Sequence, residues 1–331
     1  GQQGAIKAIY EGDMAKVTQI LAFTDLYSSR EADANDTIAW YYSREKNWGN
    51  PLSNTSRSGE GAFGNIDQTQ TGYNYKLKSE WQTLQFAGTQ HSFTTGLELN
   101  QEKATWEREK TGQSVTAFTR DSGTTCANND PYCSVSPLLN GATRQWANTR
   151  TQLNAGKIEV EENAWAVFAQ DAIQIGKLGL RPGVRFEGDD YMDKKTISPR
   201  FAGDYDFFGD RSTVLVFGVN RYYGRNLFKY RLADGRQAQN TLYRRSTQTG
   251  AWTGTVNQNN TKFSSIDIPY DDEWTLGLEQ RWLNSDFKLK YVHRSGRDKV
   301  VKANVRTLGE QPLDGYTCLL YTSDAADDMQ C

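Results

Sequence analysis

Residues 177–187 read KLGLRPGVRFE. Leu178, Leu180, Pro182, Val184 and Phe186 alternate with Gly179, Arg181, Gly183, Arg185 and Glu187. Successive side chains of a strand point to opposite faces, so this segment predicts a strand with one apolar face and one charged face. The pattern recurs. Tyr73, Tyr75, Leu77 and Trp81 oppose Asn74, Lys76, Lys78, Glu80 and Gln82. Phe93, Thr95, Leu97 and Leu99 oppose Thr94, Gly96, Glu98, Asn100 and Glu102. Trp274, Leu276, Leu278 and Trp282 oppose Glu273, Thr275, Gly277, Glu279 and Arg281. Phe287, Leu289 and Tyr291 oppose Lys288, Lys290 and Arg294.

Several runs hold for about ten residues, where strands of soluble proteins average about 5–6. Long strands with one apolar and one charged face are the signature of a transmembrane β-barrel, lipid on one side and a wet lumen on the other. The connections alternate too. Links at 86–91, 175–177, 207–212 and 283–286 are short, and those at about 48–70, 107–158 and 224–270 are long and rich in Asn, Gly, Ser and Thr. Short turns on one rim and long loops on the other fit the same architecture. About ten antiparallel strands are predicted, near 14–29, 36–47, 71–85, 91–108, 158–175, 177–189, 195–207, 211–224, 271–283 and 286–304. No helix of convincing period is found. Ten strands with two unpaired edges, near 14–29 and 297–306, make an incomplete, curved sheet.

Composition agrees with an all-β chain. Hydrophobic residues are only 37% of 331, yet aromatics reach 12%, with 9 Trp and 17 Tyr. Disordered chains are poor in aromatics. A net charge of −2 gives no electrostatic case for nucleic acid. No run reaches the roughly 18 apolar residues of a membrane helix.

Three longer stretches carry a resemblance: NAWAVFAQDAIQIGKLGLRPGVRFEGDDY (163–191), SPRFAGDYDFFGDRSTVLVFGVNRYYG (198–224) and DDEWTLGLEQRWLNSDFKLKYVHRSGRD (271–298). Phe168, Gln170, Asp171, Leu178, Leu180, Pro182, Gly183 and Arg185 form one hairpin motif. Ser198, Pro199 and Arg200 form a second, and Asp272, Glu273, Leu276, Gly277 and Glu279 a third. In this order they resemble the barrel of a TonB-dependent outer-membrane receptor. The resemblance covers about 160–300. It implies a location in the bacterial outer membrane and a 22-stranded barrel around an N-terminal plug, of which this chain is a fragment. It implies import of a scarce nutrient, of the siderophore-iron, haem, cobalamin or saccharide class, through partnership with outer-membrane lipid, a small extracellular ligand and the TonB complex, the last by way of a plug not seen here. No chemical reaction and no cofactor are implied. A passive porin-like channel is the alternative. A soluble β-rich binding or carbohydrate-active protein is disfavoured by the charged faces.

The end of the chain differs. CLLYTSDAADD (318–328) back-translates to a string resembling the transposon-derived adapter of DNA sequencing libraries. Residues 1–317 are therefore read as partial barrel, and 318–331 as a non-native tail that makes no strand pairing.

No catalytic constellation stands out. The acid pairs Asp189–Asp190 and Asp271–Asp272 read as solvated turn residues. Asp189 and Asp190 with Tyr191 and Asp193, or Asp121, Asn128 and Asp130, would offer oxygen ligands to calcium without the spacing of a known loop, and no metal site is assigned. Cys126 and Cys133 flank six residues that include Asn, Asp and Pro, and read as a disulfide in an oxidising compartment. Two free loop thiols are the alternative. Arg221, Tyr222, Tyr223 and Arg225, where a strand meets a long loop, are the candidate ligand-binding residues, by hydrogen bonds and cation–π contact. A membrane-interface girdle is the other reading of the same tyrosines. His293 shares the parity of Tyr291, which puts it on the outer face, away from a lumen ligand.

Overall fold

The computed structural model describes residues 1–224, 228–256, 267–283, 285–304 and 316–321. Ten strands form one antiparallel path: Gln2–Glu11, Ala15–Arg30, Ile66–Trp81, Thr89–Arg108, Gly156–Ile175, Leu178–Asp189, Lys195–Asp206, Thr213–Tyr223, Tyr270–Trp282 and Ser285–Arg297. Each pairs with its neighbours in this order, and a short spur, Leu84–Phe86, pairs with Thr89–Arg108. Among the described residues, Gln2–Glu11 and Ser285–Arg297 are open edges. Links on one rim are tight. Ala87 and Gly88 both have positive φ, 51° and 77°, as a two-residue hairpin turn of the primed type demands.

The strand number matches the expectation, but one member does not. Residues 36–47 are not a wall strand. Ala15–Arg30 pairs without a break against Ile66–Trp81, from Ala15 opposite Trp81 to Arg30 opposite Ile66. Nothing fits between them, and Thr37–Tyr41, with 5 residues, is too short to cross. The missing wall strand is Gln2–Glu11, which is the first edge among the described residues. Its apolar residues lie on both faces (Ala5 and Ile9, Ile6 and Tyr10), so it shows no clean alternation.

The described parts of the long loops carry strands of their own. Thr37–Tyr41, Arg57–Gly61, Gly112–Asp121, Cys133–Val135, Arg144–Leu153, Asn240–Arg244 and Thr253–Val256 build a second, 7-stranded sheet. Its core is Trp40, Val115, Phe118 and Ala147, with the Trp40 and Phe118 rings 4.8 Å apart. Polar content hid these strands, because only one short face of each is apolar. A helix, Phe228–Ala238, was also unforeseen. It lies on the Gly156–Ile175 strand through Gly235, where a Cβ would come within 2.6 Å of Ile158.

Tyr316–Tyr321 pairs in parallel with Lys299–Asn304. This corrects the expectation of an unpaired tail for 318–321; a short run of β-favouring residues meets another. Residues 322–331 lie outside the described residues.

Candidate functional site

Register decides which side chains share a face. Leu77 lies opposite Leu97, Leu97 opposite Val167, Val167 opposite Phe186, and Phe186 opposite Ile197. This row is apolar. One residue along, Lys76 lies opposite Glu98, Glu98 opposite Ala166, and Ala166 opposite Glu187. The other expected outward residues, Tyr75, Trp81, Leu99, Leu180, Val184, Leu276, Leu278, Leu289 and Tyr291, fall on the apolar face, and Glu80, Arg181, Arg185, Glu279 and Lys290 on the charged face.

The charged face is ion-paired. Glu98 accepts from Lys76 and from Arg185, each at 2.7 Å, and Arg185 also reaches Glu187 at 2.7 Å. Lys78 pairs with Glu80, Arg181 with Asp204, Lys288 with Glu279, and Arg294 with Glu273. One aromatic interrupts this wall. Phe168 lies over Gly96, where a Cβ would sit 2.3 Å from the ring. Hollows of about 280 and 510 Å³ lie along the wall, the first beside Asn74, Asn100, Glu102 and Arg185, the second beside Lys76, Glu80, Gln170 and Arg200. Such a surface offers charged and hydrogen-bonding groups to water and polar solutes.

The wall changes character toward the long-loop rim. On Thr89–Arg108 the outward residues become Gln101, Lys103, Thr105 and Glu107. Lys103 pairs with Glu159 at 2.7 Å, and Gln101 donates to Glu161. The inward residues become Ala104, Trp106 and Arg108, all buried, with Val160 and Ile66 beside them. The strand has 20 residues, whereas about 9–11 cross a bilayer. The strand is thus about twice the length a bilayer needs, and in its outer half the inward side chains pack against protein while the outward ones are polar.

Alternation splits the candidate ligand residues. Tyr222 is on the inner face, with the Arg200 guanidinium 5.3 Å from its ring. Arg221 and Tyr223 are on the outer face. Arg221 makes a bidentate pair with Asp272 at 2.7 and 2.8 Å and stacks over Tyr270 at 4.1 Å. Tyr223 packs on Tyr270. Arg225 lies outside the described residues. His293 is on the outer face against Trp274, their rings 5.6 Å apart. Asp189 accepts from the Met192 N–H, and Asp190 from the Asn163 backbone and side chain.

In the second sheet the Cys126 and Cys133 sulfurs are bonded, with Cα atoms 5.8 Å apart. Asp121 is taken by Arg144 through two 2.8 Å bonds. That guanidinium, aided against burial by the Gly123 N–H and the Trp146 indole, holds the Asp121 carboxyl down at about 2. Asp130 is taken by the buried Arg245 at 2.6 Å. Sequence reasoning missed one cluster. Tyr41 is sandwiched by Arg57 and Arg120, 3.5 and 4.0 Å from its ring centre. The fully buried Gln145 holds it there by bonding both the N–H and the C=O of Tyr41, at 2.8 and 2.9 Å. No motif marks these residues, which come from four separate strands.

No known family model matches the sequence. The chain is 26% identical over 292 residues to the protein described as uncharacterized protein YddB of Escherichia coli K12, covering 86% of this chain and 32% of that one. The crystal structure of the outer membrane transporter YddB from Escherichia coli superposes with a TM-score of 0.65 at 21% identity, covering 96% of this chain and 36% of that one. An arginine-to-alanine mutant of the ferric enterobactin receptor PfeA of Pseudomonas aeruginosa, in complex with enterobactin, gives 0.53 at 15% identity, covering 97% and 38%. The siderophore receptor PirA of Acinetobacter baumannii gives 0.53 at 9%, covering 96% and 39%. The chain thus spans about a third of the length of these relatives. Its fold is that of a stretch of the barrel wall of these outer-membrane receptors.

Proposed function

We propose that this chain forms part of the wall of a bacterial outer-membrane receptor that imports a scarce nutrient with energy from the TonB complex. The observation that carries the reading is the continuous ion-paired inner wall behind an apolar outer face, in a fold shared with an outer-membrane transporter along 96% of the chain. The cargo is a siderophore-iron, haem, cobalamin or saccharide ligand. It meets the mouth first, where Tyr222 and Arg200 face inward and the Arg57–Tyr41–Arg120 stack stands in the second sheet. Arg221 and Tyr223 serve as girdle residues at the outer lipid boundary. The disulfide braces the loop tip, and residues 318–331 contribute nothing to transport.

Deleting the gene tests this. Loss of growth on one limiting nutrient, restored by the full-length gene and abolished when the proton-motive force is collapsed, is the expected result. Solute flux that persists without energy contradicts it and favours a passive channel.

A further inference from the structure

A cavity of about 320 Å³ lies where the Phe228–Ala238 helix covers the outer half of the inner wall. Arg30, Phe63, Trp106, Arg108, Leu153 and Arg236 line it. Arg108 is only 7% exposed. A guanidinium has five N–H donors, and that of Arg108 makes a single hydrogen bond, to the Phe63 carbonyl. Arg30 donates to the same carbonyl and to that of Gly64. Two guanidiniums therefore crowd one oxygen. Arg236 adds a third cation from the last turn of the helix. Among the described residues, no carboxylate pairs with any of the three.

A buried charge is costly unless it is paired. The other buried arginine among the described residues, Arg245, is paired with Asp130 at 2.6 Å. Arg108 has no such partner and opens onto a cavity. We propose that this cavity binds an oxyanion, a carboxylate or phosphate group of a small molecule, between Arg108, Arg30 and Arg236. Planar guanidinium forks match such groups in a bidentate manner. The Trp106 and Phe63 rings supply an apolar wall for the rest of the ligand. The volume sits at the small end of ligand pockets, which run from about 300 to 1,000 Å³. The inference rests on the receptor reading and deepens it, since the cavity lies at the outer mouth of the wall and makes the cargo, or the part of it that enters first, anionic.

The test is calorimetric titration of the purified full-length protein with tricarballylate, with inorganic phosphate, and with the neutral triamide of tricarballylate. One saturable site for the oxyanions and none for the triamide is expected. Binding stronger for tricarballylate assigns a carboxylate ligand, and binding stronger for phosphate a phosphate ligand; both support the inference. Arg108→Met removes the site. Arg236→Gln, at an exposed helix end where folding is unaffected, weakens it at least fivefold. Absence of saturable binding for both anions overturns the inference, as does binding unchanged in both variants. Energised uptake with unchanged affinity in the Arg108→Met, Arg236→Gln double variant overturns it while leaving the receptor reading intact. Anion binding without any uptake does the reverse.

Discussion

Within the Thr89–Arg108 strand, Phe93, Leu97 and Leu99 turn away from the inner wall, whereas Ala104 and Trp106 turn into it. The same inversion runs through Gly156–Ile175, where Val160 is buried inward and Trp165 and Val167 face outward. The chain keeps one period and switches phase. In the proposed receptor, the switch marks where the outer medium changes from lipid to water. Below it, apolar side chains meet acyl chains and the inner face is wet. Above it, water bathes the outside and the inner face packs against a helix. The second sheet belongs to the upper regime, with a core like that of a soluble domain.

This contrast can be broken most severely in the second sheet. Trp40 is 1% exposed in a packed core, so Trp40→Ala is expected to cost about 3–5 kcal/mol. Hydrogen exchange should show the loss in 37–61 and 112–153 while the ten-stranded wall stays protected. Loss of protection in the wall as well would mean that the two regions unfold as one.

Next comes the lipid face. Leu278→Arg or Leu97→Arg, near the bilayer midplane, is expected to cost about 2–4 kcal/mol in reversible unfolding from lipid. Glu107→Arg, outward on the same strand as Leu97 but above the switch, is expected to stay within about 0.5 kcal/mol. Equal costs at 97 and 107 would erase the distinction.

Smaller still is the loop tip. Reducing the bond between Cys126 and Cys133 releases a short ring, with an expected local loss of about 2 kcal/mol, read by proteolysis of the loop. Ready labelling of both thiols in exported protein would contradict the bridge.

The smallest effect is electrostatic. The Asp121 carboxyl is held at about 2, below its ordinary 3.8. A depressed carboxyl stabilises fully above its unfolded value and loses that contribution as pH falls through the folded one. Stability of the second sheet should fall between about pH 4 and pH 2, and Asp121→Asn should flatten that fall. The effect is about 1 kcal/mol, since the pair is partly open to solvent.

The wall was legible because lipid and water impose an uninterrupted period on long strands, as in KLGLRPGVRFE. Reading failed where that pressure is absent. The Gln2–Glu11 edge strand carries apolar residues on both faces and shows no phase. The second sheet draws short strands from three distant segments, and its key contact, the Gln145 carboxamide on the Tyr41 backbone, spans 104 residues. Arg221, Tyr222, Tyr223 and Arg225 stand out in the sequence as candidate ligand residues, but adjacent residues of a strand cannot share one face, and of 221–223 only Tyr222 joins the inner wall. The arginine cavity left no local signal, because Arg30, Arg108 and Arg236 meet only through the sheet and the helix.

Spin labels placed singly at 91–108 in the full-length protein in proteoliposomes test the phase switch most directly. Collisional accessibility to oxygen and to a water-soluble nickel complex is read at each site. The account predicts that odd positions from 93 to 99 are open to oxygen. From 101 onward odd positions should be open to nickel, and 104 and 106 immobile and closed to both. Oxygen-accessible even positions at 104 and 106, or an unbroken phase from 91 to 108, would contradict it.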